Sequence, residues 1–146
     1  MKRRHFVRLL GGALVGLAVL PKLVMAWPKA FSATTKKGVV EQLFPGMEPS
    51  SSDLVKLKAP AIAENGAVVP ITVSTDLPDV TNISVLVNEN PNPLAASFDL
   101  TPTSVPTVAT RLKMGKTTMV TALVAAGGKL YSVEKEVKVT IGGCGG

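Results

Sequence analysis

The stretch TTMVTALVAAGGKLYSVEKEVKVTI, residues 117–141, carries the strongest fold signal in the chain. Its first part is apolar almost throughout, which predicts a strand buried on both faces. Ala126-Gly127-Gly128-Lys129 has the composition of a tight hairpin turn. From Val133 to Ile141, valine and isoleucine recur at multiples of two residues, which places them on one face of a strand. The stretch therefore predicts a β-hairpin whose second strand ends the domain.

Upstream of the hairpin, five further segments show strand composition and are separated by proline, asparagine and glycine turns. Pro70, inside the second of them, predicts an edge strand or a bulge. Seven short strands with regular turns predict an all-β fold, an immunoglobulin-like β-sandwich over residues 53–141, although a barrel shares these signals. The five segments are residues 53–58, 67–75, 82–90, 95–100 and 107–114.

The segment before the sandwich, residues 27–52, is predicted to contain one short helix, Lys36 to Phe44. Its apolar residues fall on one side of the helix, and Pro45-Gly46 ends it. Ser50-Ser51-Ser52 is predicted to be a linker.

Residues 1–26 are predicted to be a twin-arginine signal peptide. Arg3-Arg4 begins a basic run, and the apolar stretch from Leu9 to Leu20 is short for a membrane span. Val24-Met25-Ala26 offers small residues where a signal peptidase cuts, so the mature chain should start at Trp27. An ordinary secretory signal is the alternative. Either signal predicts export, and the twin-arginine route predicts a periplasmic protein.

Charge and composition exclude several functions for the mature chain. Five of the 16 basic residues and none of the ten acidic residues lie in the signal, so a net charge of about +1 remains, with no electrostatic case for nucleic acid or a membrane surface. The only histidine, His5, is also in the signal, so no Cys/His zinc site or catalytic pair can form. Asp76 and Asp79 flank a turn. We therefore expect no catalytic residue, metal or cofactor.

The single cysteine, Cys144, lies in the sequence Gly142-Gly143-Cys144-Gly145-Gly146. Residues 142–146 are predicted to be a flexible arm after the last strand, able to hold the sulfur roughly 10 Å from the fold. No lysine, arginine or histidine adjoins the thiol, which favours a passive carrier over a self-activating nucleophile.

Several motifs together resemble the SoxY family, the sulfur carriers of bacterial thiosulfate oxidation. They are KEVKVTIGGCGG, AGGKLYS, KAPAIAENGAVVPITVSTDLP, NPNPLAASF, TRLKM and the twin-arginine leader. The resemblance implies an immunoglobulin-like carrier, not an enzyme, that holds inorganic sulfur on Cys144 as an S-thiosulfonate and then a persulfide. Its glycines 142, 143, 145 and 146 would form the swinging arm.

The same resemblance implies partners. They are a second small β-sandwich subunit like SoxZ, a haem c enzyme that attaches thiosulfate, a dimanganese hydrolase that releases sulfate, and a sulfane dehydrogenase. We expect the two small subunits to join through apolar sheet faces. Two other classes remain as alternatives: a thiol-based redox sensor or peroxidase-like protein, which the missing resolving cysteine disfavours, and a structural or adhesive sandwich.

Overall fold

The computed structural model describes residues 26–140, a range that excludes the predicted arm and nearly all of the predicted signal peptide. It contains two short helices followed by nine strands. These are α1 (Ala26–Ser32), α2 (Lys36–Leu43), β1 (Pro49–Ser51), β2 (Val55–Lys58), β3 (Ile62–Ala63), β4 (Val69–Thr75), β5 (Val80–Val87), β6 (Leu94–Asp99), β7 (Thr107–Leu112), β8 (Thr118–Ala126) and β9 (Lys129–Val139).

The strands form two sheets that face each other across an apolar core. One sheet has the order β1-β9-β8-β5-β6, with β3 pairing to the end of β9, and the other has the order β2-β4-β7. Side chains of both sheets meet in one buried cluster, which includes Ile71 and Val73 from β4 and Val85 and Val124 from the larger sheet. The predicted β-sandwich is confirmed.

The hairpin of β8 and β9 forms as predicted. The two strands pair in antiparallel register from Thr118–Val137 to Ala126–Lys129. Gly127 and Gly128 have φ values of 56° and 75°, which a tight two-residue hairpin turn requires and which glycine adopts without strain. β8 is buried along almost its whole length, because helices lie over one face of its sheet and the second sheet over the other.

Pro70 lies in β4, which is the middle strand of its sheet rather than an edge strand. The pairing of β4 with β2 stops at Thr72, opposite Lys58, while the pairing with β7 continues past Pro70, which lies opposite Arg111. The prediction of an edge strand is therefore wrong for β4 as a whole. At Pro70 itself, however, the strand has a neighbour on one side only. A proline, which lacks an amide hydrogen, sits where one neighbour has ended.

The predicted N-terminal helix is confirmed with an end one residue earlier. Thr35 caps α2 by accepting a hydrogen bond at Oγ1 from the Gly38 amide, at 3.0 Å, and Phe44 follows as the C-cap. The buried face of the helices packs on the outer face of the larger sheet. This second apolar cluster contains Ala30, Val39, Val40, Phe44, Leu86, Leu94, Leu123, Ala125 and Leu130.

The predicted linker is wrong. Residues 49–51 form β1, which pairs in parallel with residues 130–132 of β9, and Ser50 Oγ donates to the Leu130 carbonyl at 3.4 Å. The serines lack the alternating apolar side chains that reveal a strand in sequence, because both of them are solvent-exposed at a sheet edge. Since α1, α2 and β1 all join the larger sheet, residues 27–52 are part of the folded body.

The outer face of the three-stranded sheet stays exposed and is polar. It presents Lys56, Lys58, Thr107 and Arg111 to solvent, with small side chains between them. The large apolar side chains that are exposed within residues 29–140 lie in α1, in loops and in the two-residue β3. The expectation of an apolar sheet face for a partner is therefore wrong for the part of the chain that the structure describes.

Candidate functional site

The predicted site residues Cys144, Gly142, Gly143, Gly145 and Gly146 lie outside the described residues. The last residue that the structure describes, Thr140, precedes Cys144 by four positions. What the structure shows is therefore the mount from which the cysteine segment departs. We call this region the arm end: it comprises Ala61–Val68, Asn88–Pro93, Lys113–Thr117 and Lys138–Thr140.

The final residues of β9 are held by hydrogen bonds on both sides. On one side the Lys138 amide donates to the Ala61 carbonyl at 3.0 Å, and the Thr140 amide donates to the Ala63 carbonyl at 3.2 Å. On the other side the Val139 amide donates to Oγ1 of Thr117, the residue before β8, at 2.9 Å. Because successive amides are bound in alternating directions, the backbone is fixed as far as Thr140.

A second fixed point at the arm end is the close approach of Gly66 to two neighbours. A Cβ at this position would lie 2.5 Å from the Met114 carbonyl oxygen and 2.9 Å from Val139 Cγ1. The Gly66 carbonyl also accepts the Met114 amide at 2.6 Å, and Met114 is buried. Asn65-Gly66 is recognisable in sequence as a turn, but its composition does not reveal this contact. Because a Cβ would not fit here, only glycine can occupy this position beside β9.

The remaining loops of the arm end brace one another. Asn90 Nδ2 donates to the Lys113 carbonyl at 2.8 Å, and Lys116 Nζ lies 3.5 Å from Glu89 Oε2. These contacts join the β5–β6 loop to the β7–β8 loop, which itself joins Gly66 and β9. The strand that leads to Cys144 therefore leaves from a connected and well-supported end of the sandwich.

One polar cluster ties the helical layer to β9. Lys36 Nζ, on α2, pairs with Glu134 Oε1 on β9, and the Thr121 hydroxyl lies 2.8 Å from the same oxygen and 2.9 Å from Asn88 Oδ1. The hydrogen bond from Lys36 is the main cause that lowers the pKa of Glu134 below its ordinary value, against an opposing effect of partial burial. The cluster has a structural role, because it fixes α2 on the sheet.

Among residues 29–140, no three histidine, cysteine, aspartate or glutamate side chains are close enough to hold a metal ion. Neither described helix is long and apolar enough to cross a membrane. The sequence prediction places the chemistry on the thiol of Cys144, four residues beyond the last described residue.

Comparison with known proteins gives a consistent result. The family model described as sulfur oxidation protein SoxY matches residues 40–144, a range that includes Cys144. The structure of the sulfur carrier protein SoxY from Chlorobium limicola f thiosulfatophilum is similar, with 45% identity and a TM-score of 0.66. The match covers 72% of this chain and 96% of that one.

A more distant similarity concerns the fold alone. The superoxide reductase (neelaredoxin) from Ignicoccus hospitalis matches with 21% identity and a TM-score of 0.54, over 59% of this chain and 80% of that one. No curated protein sequence matches the chain.

Proposed function

The chain belongs to the SoxY family of sulfur oxidation proteins, and we propose on this premise that it carries inorganic sulfur covalently on the thiol of Cys144. It is a sulfur carrier and not itself an enzyme. In the proposed function it presents thiosulfate-derived intermediates to partner enzymes, and glycines 142, 143, 145 and 146 let the thiol enter their active sites.

The observation that carries this proposal is the fixed end of β9. A strand bound on both sides through Thr140 leads, with one residue between, into glycines that flank the only cysteine. A structural cysteine is usually buried, and a catalytic cysteine usually lies beside a group that lowers its pKa. A firm mount followed by residues without side chains suits delivery of the sulfur to another protein.

The proposed chemistry has three steps. In the first, the Cys144 thiolate and the outer sulfur of thiosulfate form a sulfur–sulfur bond and release two electrons to a haem c enzyme, which leaves an S-thiosulfonate on the cysteine. In the second, a dimanganese hydrolase adds water across the bond between sulfur and sulfonate, which releases sulfate and two protons and leaves a persulfide. In the third, a sulfane dehydrogenase oxidises the outer sulfur of the persulfide to a sulfonate, with three oxygen atoms from water, release of six protons and transfer of six electrons to the dehydrogenase.

The proposal also includes a compartment and a companion. The arginine pair and apolar run of residues 1–26 support export to the periplasm by the twin-arginine route. The companion is a second small β-sandwich subunit of the SoxZ kind. Since the larger sheet is covered by the protein's own helices and the smaller sheet is polar, we place their contact elsewhere than on an apolar sheet face.

The test is intact mass spectrometry of the protein purified from thiosulfate-grown cells. We expect added sulfur, removable by a reductant, on wild-type protein and none on a Cys144→Ser variant. Detection of only the free thiol during thiosulfate turnover would contradict the carrier function. Alkylation kinetics address the redox-sensor alternative, because a sensor thiol would react faster than a cysteine in a free peptide of the same sequence.

A further inference from the structure

The short distance between Thr140 and Cys144 limits how far the thiol can travel. Even when fully extended, four residues span at most about 14 Å. The backbone up to Thr140 is fixed by hydrogen bonds on both sides, so no reserve of chain lies behind it. An enzyme that encloses the sulfur in a cleft therefore brings the rim of that cleft against the arm end.

Two large apolar side chains are exposed at the arm end, where such a rim would arrive. Ile62 is 58% exposed and lies in register with Lys138, and Val68 is 48% exposed. Val68 lies two residues after Gly66, which packs against Val139 at the end of β9. The backbone around Ile62 is hydrogen-bonded to β9, and the Val68 amide donates to the Asn65 carbonyl within its own turn. Little conformational entropy is therefore lost when a partner covers the two side chains.

Charge at the arm end does not select a partner as clearly. Lys138 and Glu64 are both exposed and have opposite signs, and Lys116 is paired with Glu89, so the exposed Lys113 leaves a single excess positive charge. The apolar pair is therefore the more distinctive feature. A contact of this kind is small, and small interfaces are typical of encounters that must be released after each reaction.

We infer that Ile62 and Val68 form the contact surface for the cleft rim of the enzymes that act on the Cys144 sulfur. The partner surface that fits them is apolar and surrounds the entrance through which the arm passes. This inference rests on the proposed function and adds to it a recognition surface on the folded body.

The test compares two double variants of the full chain in the attachment of thiosulfate by the haem c enzyme. Ile62→Ser with Val68→Ser removes the proposed surface. Leu54→Ser with Val105→Ser is the matched control: these residues are 56% and 76% exposed and lie near the starts of β2 and β7, at the opposite end of the sandwich. The rate is measured over a range of carrier concentrations.

We expect the first variant to raise the KM for the carrier at least about fivefold with kcat unchanged, as for loss of interface residues that contribute substantially to binding. The control variant keeps the wild-type KM, and iodoacetamide alkylates all three proteins at one rate. An unchanged KM in the first variant, or an equal rise in the control, overturns the inference and leaves the carrier function intact. Failure of the wild-type protein to accept thiosulfate overturns both.

Discussion

The outer faces of the two sheets differ in what covers them. The larger sheet presents four leucines and Ala125, which are buried beneath the two valines of α2, Ala30 of α1 and Phe44. The smaller sheet presents lysine, threonine and arginine and stays in contact with solvent. Both sheets share the same interior, so this difference arises only on the outside of the sandwich.

The difference shows that the N-terminal segment completes the core. Without the helices, the larger sheet would expose Leu86, Leu123 and Leu130, all of which are almost fully buried. An exposed apolar area of this kind promotes aggregation. The helical layer therefore belongs to the folding unit, and the polar face of the smaller sheet needs no such cover.

The largest expected effect comes from a cavity on the covered face. Leu123 lies on β8 and is fully buried beneath the helices, so Leu123→Ala should lower the free energy of unfolding by about 3 kcal/mol. Thr107→Ala on the bare face should change it by no more than about 0.5 kcal/mol. Urea unfolding of both variants measures the contrast, and equal values would show that the helices do not bury the larger sheet.

A smaller loss is expected where the two sheets meet at the arm end. In Gly66→Ala the new methyl group would collide with the Met114 carbonyl oxygen and Val139, which should destabilise the protein by about 1–3 kcal/mol. Gly115→Ala is the matched control in the next loop, because a Cβ there meets nothing within 4 Å. Thermal unfolding distinguishes them. A Gly66→Ala variant as stable as the control would contradict the close approach.

The ion pair that holds α2 on β9 predicts a pH dependence. The folded-state pKa of Glu134 is lowered, so its contribution is complete above the ordinary value of 4.5 and is lost as the pH falls through the folded-state value. Because Lys36 and Glu134 are each about one-third exposed, we expect at most about 1 kcal/mol between wild type and Glu134→Gln at neutral pH.

That difference should shrink as the pH drops below 4.5, which urea unfolding at several pH values measures. Glu136→Gln, two residues along the same strand and exposed, serves as the control and should have little effect. A difference that persists unchanged in acid would mean that Glu134 acts through packing rather than through its charge.

The smallest effect concerns self-association. Since residues 29–140 leave no large apolar patch on either sheet face, a Cys144→Ser variant should remain monomeric in light scattering. Wild-type protein should form a dimer only through a disulfide between two Cys144 residues, and a reductant should remove it. A noncovalent dimer of the variant would indicate that one of the two sheet faces self-associates more strongly than its composition predicts.

Sequence alone predicted the elements with local signals. Pro45-Gly46 located the end of α2 to within one residue, and Gly127-Gly128 located the hairpin. β1 was missed because its three residues, a proline and two serines, have no strand pattern of their own and form a strand only by pairing with β9. α1 was missed although six of its seven residues lie in the predicted mature chain, because a helix of two turns is too short to show a helical period.

The site was predictable to a different degree. Cys144 and its glycines are conspicuous in sequence, and the match to the SoxY family model ends at this cysteine, but they lie outside the described residues and their role stays a prediction. The mount was not predictable, because the amides of Lys138 and Thr140 bind carbonyls more than 70 residues away, those of Ala61 and Ala63. Contacts of such separation leave no periodic pattern, and Gly66 gave no sign of its role for the same reason.

The position of β9 also makes the order of synthesis matter. It is the last described strand, yet β1, β3 and β8 all pair with it, and Ser50 reaches Leu130 across 80 residues. The larger sheet therefore cannot close until the ribosome has made β9. Pairing between strands so far apart in sequence is a high contact order, which predicts slow folding. A chain truncated before β9 would lack Cys144 and leave three strands with open edges prone to aggregation. Completion of the larger sheet and synthesis of Cys144 thus nearly coincide, so a chain that stops before β9 has neither.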